Sequence, residues 1–154
     1  MFVYLLRHGK AAQTSPDGPR ALTEKGRAEV ALVAEHFKKK DLSLTQVWHS
    51  PKTRAVQTAE VFLKVIGEKG IPVEEKKQLK PEGDDQEILG EINQVKEGSL
   101  LLVTHMPFVA GLASLLAEHS PNAQMAFPTA GLVAFEKKDQ TWRWLWSWDP
   151  SELK

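Results

Sequence analysis

The sequence predicts an α/β fold, a three-layer α/β/α arrangement with a mixed, mainly parallel central sheet and a C-terminal β-hairpin. Strand-like and helix-like segments alternate along most of the 154 residues, which is typical of parallel strands joined by helices. An almost wholly apolar run at residues 99–103 is typical of a central strand covered on both faces. Two further strand-like segments flank a polar turn at residues 137–140. A chain of this length builds one core, so we expect a single domain over residues 1–154.

The first predicted strand covers residues 1–6, and a loop separates it from the first helix. Residues 13–20 of that loop are rich in Ser, Pro, Asp and Gly, the usual loop formers. Thr23 is the predicted N-cap of the helix, with Glu24 in its first turn. Apolar residues at helical spacing predict its buried face, namely Val30, Val33, Ala34 and Phe37. Lysines at 38–40 suit its C-terminal end because cations interact favourably with that end of the helix dipole.

The second predicted strand covers residues 46–49 and leads into the second helix. Ser50 is expected to cap this helix, with Pro51 at its first position. The inner face of the helix is predicted from the apolar spacing of Ala55, Ala59, Phe62 and Ile66. Residues 71–74 are expected to form an edge strand because Pro72 has no N–H to donate to a ladder.

The central part of the sequence predicts a polar loop at residues 79–85, which contains Pro81 and Gly83. A third helix is predicted from the apolar residues Ile88, Leu89, Ile92 and Val95. A fourth is expected to begin at Pro107, directly after the apolar strand.

Four alternating tryptophans are predicted to occupy one face of the last strand, residues 142–148: Trp142, Trp144, Trp146 and Trp148. A core face packed under a helix is favoured, because the net charge is zero. A base-stacking platform or a partner surface is the alternative.

Composition and charge argue against several classes of function. The 20 basic and 20 acidic residues cancel, whereas binding to nucleic acid or to anionic membranes usually needs a basic surplus. The absence of cysteine excludes disulfides, thiolate catalysis and cysteine-based zinc sites. No segment approaches the about 18 apolar residues that span a bilayer, and early charges at Arg7 and Lys10 do not fit a signal peptide. We therefore expect a cytoplasmic protein that binds neither nucleic acid nor membrane.

Two arginines and two histidines are predicted to meet at one edge of the sheet. Arg7 and His8 follow the first strand, Arg54 lies in the first turn after the second, and His105 follows the apolar strand. Because the carboxyl ends of parallel strands share an edge, these positions converge. Guanidinium groups match phosphate oxygens, and a cation beside an imidazole keeps the ring neutral and nucleophilic. The pattern predicts a site for a compact anion.

A metal site made of His8, His49 and His105 is the competing interpretation of the same region. Two arginines in the cluster would repel a cation, and no carboxylate is positioned to compensate. We therefore expect neither a metal nor another cofactor. His49 is expected to be a packing residue at the strand end, with a position at the pocket rim as the alternative.

Four segments, in order, resemble the signatures of the histidine phosphatase (phosphoglycerate-mutase-like) superfamily. They are LRHG at residues 6–9, LTEKG at 22–26, SPKTRAVQTA at 50–59 and VTH at 103–105. The short chain and the segment LKPEGD at 79–84 look most like the small SixA-type phosphohistidine phosphatases. The resemblance implies that His8 attacks phosphorus and is transiently phosphorylated. It also implies that Arg7, Arg54 and His105 hold the phosphoryl oxygens, with Gly9 in the same phosphate-binding loop, and that no metal is required.

The sequence departs from larger family members at the expected general acid. Those proteins carry a Leu-x-Glu segment after the third strand, whereas Pro81 stands at the corresponding place here. Glu82 and Asp85 are nearby candidates for the acid. An alkoxide leaving group needs acid help, commonly worth a factor of about 10²–10⁴, whereas imidazole, with a pKa near about 6.5, leaves more easily. A phosphohistidine on a protein is therefore the expected substrate. A small phosphate ester, with Glu82 or Asp85 as the acid, and an inactive phosphate-binding module are the alternatives. The segment 129–131 resembles one that closes the family's pocket.

Overall fold

The fold is described from a computed structural model, which covers residues 1–13 and 19–153. Most of the loop predicted at residues 13–20 lies outside these ranges. None of the helices within them combines the length and the hydropathy that a membrane span requires. The elements in chain order are β1 (Phe2–Arg7), α1 (Glu24–Lys39), β2 (Gln46–His49), α2 (Thr53–Ile66), β3 (Val73–Glu75), a 3₁₀ turn (Lys77–Leu79), α3 (Asp85–Ile92), β4 (Ser99–Thr104), α4 (Phe108–Leu116), β5 (Leu132–Lys138), β6 (Thr141–Trp148) and a 3₁₀ turn (Pro150–Glu152).

The strands form one sheet in the order β3-β2-β4-β1-β5-β6. Strands β1, β2, β3 and β4 pair in parallel, whereas β5 is antiparallel to both β1 and β6. The predicted mixed, mainly parallel sheet with a C-terminal hairpin is therefore confirmed. In the middle of this sheet, the apolar segment of β4 is fully buried over Leu100–Val103.

Apolar side chains project from both faces of the sheet and pack against helices, which gives three layers. On one face, Leu5 and Leu102 pack in a cluster with Ile88 of α3 and Leu112 of α4. On the other face, alternate residues of the same strands join the inner faces of α1 and α2, as the period of two along a strand requires. The predicted inner faces of α1 and α2 are confirmed, because all eight of their residues are buried.

The four tryptophans do not share a face, so that prediction is wrong. The register of β5 and β6 shifts between Ala134 and Phe135, and Leu145 is left without a partner. An extra residue in one strand reverses the side of every later side chain. Trp142 and Trp144 therefore pack toward α3 and α4, whereas Trp146 and Trp148 stack on each other, with ring centroids 3.8 Å apart, beside α1.

The second helix begins later than predicted, at Thr53 rather than at Pro51. Lys52 occupies the N-cap position and makes no side-chain cap bond. Ser50 stays in the segment between β2 and α2, and its hydroxyl accepts a hydrogen bond from the backbone N–H of Lys52 at 3.2 Å. The hydroxyl of Ser50 also forms a hydrogen bond in the interior, with the side chain of His105. The N-cap predicted at Thr23 is confirmed, since its hydroxyl accepts from the N–H of Gly26.

The loop predicted at residues 79–85 is less polar and shorter than expected. Leu79 ends a 3₁₀ turn and is fully buried, and its carbonyl accepts a hydrogen bond from the Thr104 hydroxyl at 2.6 Å. Asp84 caps α3, so Asp85 is already helical. The third helix ends at Ile92, before Val95.

Candidate active site

The carboxyl ends of β1, β2 and β4 position the candidate site. Arg7 ends β1 opposite Thr104, the last residue of β4. The backbone N–H of His8 donates to the carbonyl of Thr104 at 3.0 Å, which fixes the start of the loop after β1. His105 comes directly after Thr104, and Ser50 follows β2 on the other side of β4. Side chains from three neighbouring strand ends therefore face one another.

The imidazole of His8 is held neutral, with one ring nitrogen free. The ring is 7% exposed, and its Nδ1–H donates to the carbonyl oxygen of Gly9 at 2.7 Å. Because a carbonyl only accepts, the proton lies on Nδ1 and the lone pair on Nε2 is free. Burial, with the charges of Arg54, Arg7 and Arg20, lowers the pKa of His8 to about 4 against the opposing effect of the Gly9 bond.

The second histidine lies beside the first, with ring centroids 5.0 Å apart. His105 is 1% exposed, and its Nε2 is 2.7 Å from the hydroxyl of Ser50. That hydroxyl also accepts from the N–H of Lys52, and it can donate its own proton to Nε2 when the ring proton of His105 is on Nδ1. Burial, followed by the charges of His8 and other cations, lowers the pKa of His105 to about 3. The ring thus offers one N–H donor without carrying a charge.

Three buried nitrogens in this cluster have no hydrogen-bond partner among the described residues: Nε of Arg7, Nε of Arg54 and Nδ1 of His105. Buried donors without acceptors are unfavourable by about 1–3 kcal/mol each. The guanidinium of Arg7 is nevertheless fixed, because one terminal nitrogen donates to the carbonyl of Phe127 at 2.8 Å. Burial lowers the pKa of both arginines, yet an arginine keeps its charge in proteins. An anion with several oxygens could supply acceptors for these nitrogens.

Close packing of Gly9 fixes the loop that carries His8. A Cβ on Gly9 would lie 2.8 Å from Cγ2 of Val30 and 3.0 Å from the carbonyl of Gly26, so a larger residue would push the loop off α1. The N–H of Gly9 donates to the hydroxyl of Thr58 at 2.9 Å, and that hydroxyl donates to the carbonyl of Arg54 at 2.7 Å. Thr58 thereby links the loop to α2. The spacing of four residues between Arg54 and Thr58, which places both on one side of a helix, was the signal in the sequence for this link.

A surface cavity of about 340 Å³ opens beside His8. Among the described residues that line it, four are cations and one is a carboxylate: Arg7, Lys10, Arg20, Lys25 and Glu29. Arg20 was not predicted from the sequence, and its Nε donates to the carbonyl of Ala12 at 2.7 Å. Its charge lowers the pKa of both His8 and Arg54, so it contributes to the electropositive site. Thr129, from the segment predicted to close the pocket, also lines the cavity.

The two carboxylates considered as general acids lie outside this cavity. Glu82 is exposed in the turn before α3. Asp85 begins α3, and its Oδ2 is directed toward Gly111 of α4, 2.7 Å from where a Cβ on that glycine would lie. The structure therefore gathers Arg7, His8, Arg54 and His105, whereas neither carboxylate is among the charges that act on His8 or His105.

The histidine at the end of β2 does not line the cavity. Nδ1–H of His49 donates to the carbonyl of Ser50 at 2.9 Å, and the side chain is 8% exposed. Within residues 1–13 and 19–153, no group of three His, Asp or Glu side chains is arranged to hold a metal ion.

Comparison with known proteins gives a consistent result over the whole chain. Residues 3–81 match the model of the histidine phosphatase superfamily, branch 1. The chain is 30% identical over 162 residues to phosphohistidine phosphatase SixA of Escherichia coli K12, covering 100% of this chain and 97% of that protein. It is also 30% identical over 139 residues to an uncharacterized Picosynechococcus protein, covering 86% and 83% of the two chains.

Solved structures show the same relationship. The protein histidine phosphatase SixA complexed with tungstate superposes with a TM-score of 0.88 at 26% identity, over 100% of both chains. A phosphoglycerate mutase from Bacillus anthracis shares the fold, with a TM-score of 0.77 at 16% identity over 99% and 94% of the chains. The relatives and the fold indicate a phosphatase, a hydrolase of phosphate compounds. By its sequence and its structure, the chain belongs to the histidine phosphatase superfamily, branch 1.

Proposed function

We propose that this phosphatase removes the phosphoryl group from a phosphohistidine on a protein, through a covalent phosphohistidine on its own His8. One observation carries the proposal. A neutral imidazole with a free Nε2 lies in a cluster whose buried Arg7, Arg54 and His105 nitrogens have no acceptor in the described structure. Such a cluster needs an anion with several oxygens, and it supplies the nucleophile that would attack that anion. The relative from Escherichia coli, by its name a phosphohistidine phosphatase, supports the choice of substrate.

The reaction proceeds in two displacements at phosphorus. In the first, the lone pair of His8 Nε2 forms a bond to phosphorus while the P–N bond to the substrate imidazole breaks, and the departing ring keeps the bonding electrons. In the second, water attacks the phosphorus held on His8, the new P–N bond breaks and inorganic phosphate leaves. The substrate ring carries a proton on its other nitrogen, so it leaves as neutral imidazole, and the protons of water end on the released phosphate. The sum is hydrolysis of one P–N bond.

Fixed cations and one neutral donor stabilise the charge that develops at phosphorus. Arg7 and Arg54 supply guanidinium groups, and His105 supplies its Nδ1–H, from positions set before the substrate arrives. Preorganised donors of this kind each contribute about 10²–10³ in rate. Their positive charge serves the role that a metal ion fills in other phosphoryl-transfer sites.

The surroundings of His8 favour cleavage of a P–N bond over a P–O bond. Glu82 is exposed in the turn before α3, and Oδ2 of Asp85 is directed toward Gly111 of α4, so neither predicted acid is held beside His8 to protonate an alkoxide. An imidazole leaves without such help, because its pKa is near about 6.5.

The direct test compares two substrate classes on the purified protein. We expect a higher kcat/KM for a phosphohistidine-bearing protein than for sugar phosphates, with Glu82→Gln and Asp85→Asn leaving the first activity within about twofold of wild type. Faster turnover of sugar phosphates, abolished by either carboxylate variant, would establish the esterase alternative. Absence of hydrolysis across both classes would instead support a phosphate-binding module.

A further inference from the structure

The rim of the candidate site carries lysines that the proposed reaction does not use. Lys10 and Lys25 are exposed and line the cavity from the side of α1. Lys52 is exposed on the side of α2, and its backbone N–H donates to Ser50, the hydroxyl that bonds His105. These three residues are called the cationic rim below. The phosphoryl group itself is met by Arg7, Arg54 and His105, so the rim faces what lies beyond that group.

The rim is a local excess of positive charge, because the chain as a whole has equal numbers of acidic and basic residues. Glu29 is the carboxylate found among the described residues that line the cavity. The ion pairs formed within residues 1–13 and 19–153 belong to Lys76, at the edge of the sheet beyond β3. Among the described residues, the rim lysines therefore form no ion pair, and their charge can interact with a binding partner.

An exposed apolar side chain lies at the same edge of the sheet. Met106 directly follows His105 and is 39% exposed, one of few large apolar side chains at the described surface. A flexible thioether adapts to varied apolar surfaces and is common where proteins bind other proteins. Contact with Met106 and with both sides of the rim needs a protein surface, because a small phosphate ester ends at the cavity.

We infer that the cationic rim docks an acidic patch surrounding the phosphohistidine on the partner protein. This inference rests on the proposed function and specifies its substrate. Opposite charges steer the two surfaces together and raise the rate of association by about 10–10³-fold at low ionic strength. The contribution shrinks with added salt, since exposed charges are screened beyond about 8 Å under physiological conditions.

The experiment compares two double variants that remove the same charge from opposite ends of the molecule. K10Q/K25Q neutralises the rim on the side of α1. K64Q/K69Q, the matched control, neutralises exposed lysines at the end of α2 and in the segment before β3. Each is assayed on a phosphohistidine protein with an acidic surface, on the same protein with those acids changed to amides, and on phosphoramidate.

We expect K10Q/K25Q to lower kcat/KM about tenfold on the acidic protein, mainly through KM, and by a clearly smaller factor on phosphoramidate. The deficit should disappear on the amide-substituted protein and in about 0.5 M salt, and the control should match wild type throughout.

Full activity of K10Q/K25Q on the acidic protein would overturn the docking inference. An equal loss on phosphoramidate would also overturn it, by placing the lysines in the phosphate site. If wild type hydrolyses phosphoramidate but no phosphohistidine protein, the proposed substrate is wrong. The docking inference then fails as well, whatever the lysine variants show. A loss that is the same for the acidic and the amide-substituted protein would contradict charge complementarity.

Discussion

The ends of β1 and β2 place two histidines in nearly the same local setting. His8 and His49 are 7% and 8% exposed, and in each the Nδ1–H donates to the carbonyl of the next residue, at 2.7 Å and 2.9 Å. Both rings therefore carry a proton on Nδ1. The local backbone thus prepares two equivalent imidazoles.

Their tertiary surroundings differ. His8 is near Arg7, Arg54 and Arg20 and lines a cavity. His49 lies beside the edge strand β3, where its carbonyl accepts from the N–H of Lys76 at 2.8 Å, and it does not line that cavity. A histidine at a strand end therefore becomes a candidate nucleophile because other elements place cations next to it.

Replacing the two histidines in parallel gives the largest expected difference. His8→Asn should lower kcat by about 10⁴-fold or more, because the group that bonds to phosphorus is lost. His49→Asn should retain activity within about tenfold, since it only alters packing and one hydrogen bond. Circular dichroism checks that both variants fold. Comparable losses in two folded variants would mean that the tertiary surroundings do not separate the histidines.

Removing a converging cation tests why His8 differs from His49. Arg54→Ala should lower kcat/KM by about 10²–10³-fold through lost stabilisation of the transition state, with little change in thermal stability. Arg27→Ala is the matched control, because Arg27 is an exposed arginine near the start of α1 and should stay near wild type. A folded Arg54→Ala protein with near-normal turnover would remove this residue from the site.

The hydroxyl of Ser50, which follows β2, contacts His105. Its removal is expected to affect activity less than the loss of Arg54. Ser50→Ala should lower kcat about tenfold, equivalent to one lost hydrogen bond of about 1.4 kcal/mol. Nitrogen chemical shifts of the His105 ring should show the proton on Nδ1 in wild type and a mixture of tautomers in the variant. An unchanged ring spectrum would show that Ser50 does not position His105.

Acid titration concerns stability rather than turnover. The folded pKa of His8 is about 4, whereas the unfolded chain titrates near about 6.5. Between these pH values the unfolded state binds more protons, so the free energy of unfolding decreases as the pH falls, by at most about 1.4 kcal/mol per pH unit for this residue. Denaturant titrations of wild type and His8→Asn should show a shallower pH dependence in the variant. Parallel curves would contradict the lowered pKa.

Much of the fold was predictable because its signals are local. The buried faces of α1 and α2 follow from apolar spacing alone, and the strand segments place their ends at one edge in any parallel sheet. The β-bulge at Leu145 was not predictable, because it appears only when β6 pairs with β5. The tryptophan pattern therefore led to the wrong face.

Some residues of the candidate site were predictable from the sequence, and others were not. Arg7, His8, Arg54 and His105 carry motif signals, and their roles remain predictions that the structure makes geometrically consistent. Ser50 was interpreted as a helix cap because its position before Pro51 fits that role equally well. Arg20 was missed because it follows a loop, and no periodic pattern marks where such a side chain comes to lie.

The most direct test of the central claim is to trap the phosphoryl group on the enzyme. The protein is mixed with an isotopically labelled phosphohistidine protein, quenched in alkali and mapped by mass spectrometry and phosphorus NMR. We expect an acid-labile phosphoryl group on Nε2 of His8, absent in His8→Asn and retained in His49→Asn. Label on His49, an acid-stable phosphate on a hydroxyl residue, or hydrolysis without any labelled enzyme would contradict the account.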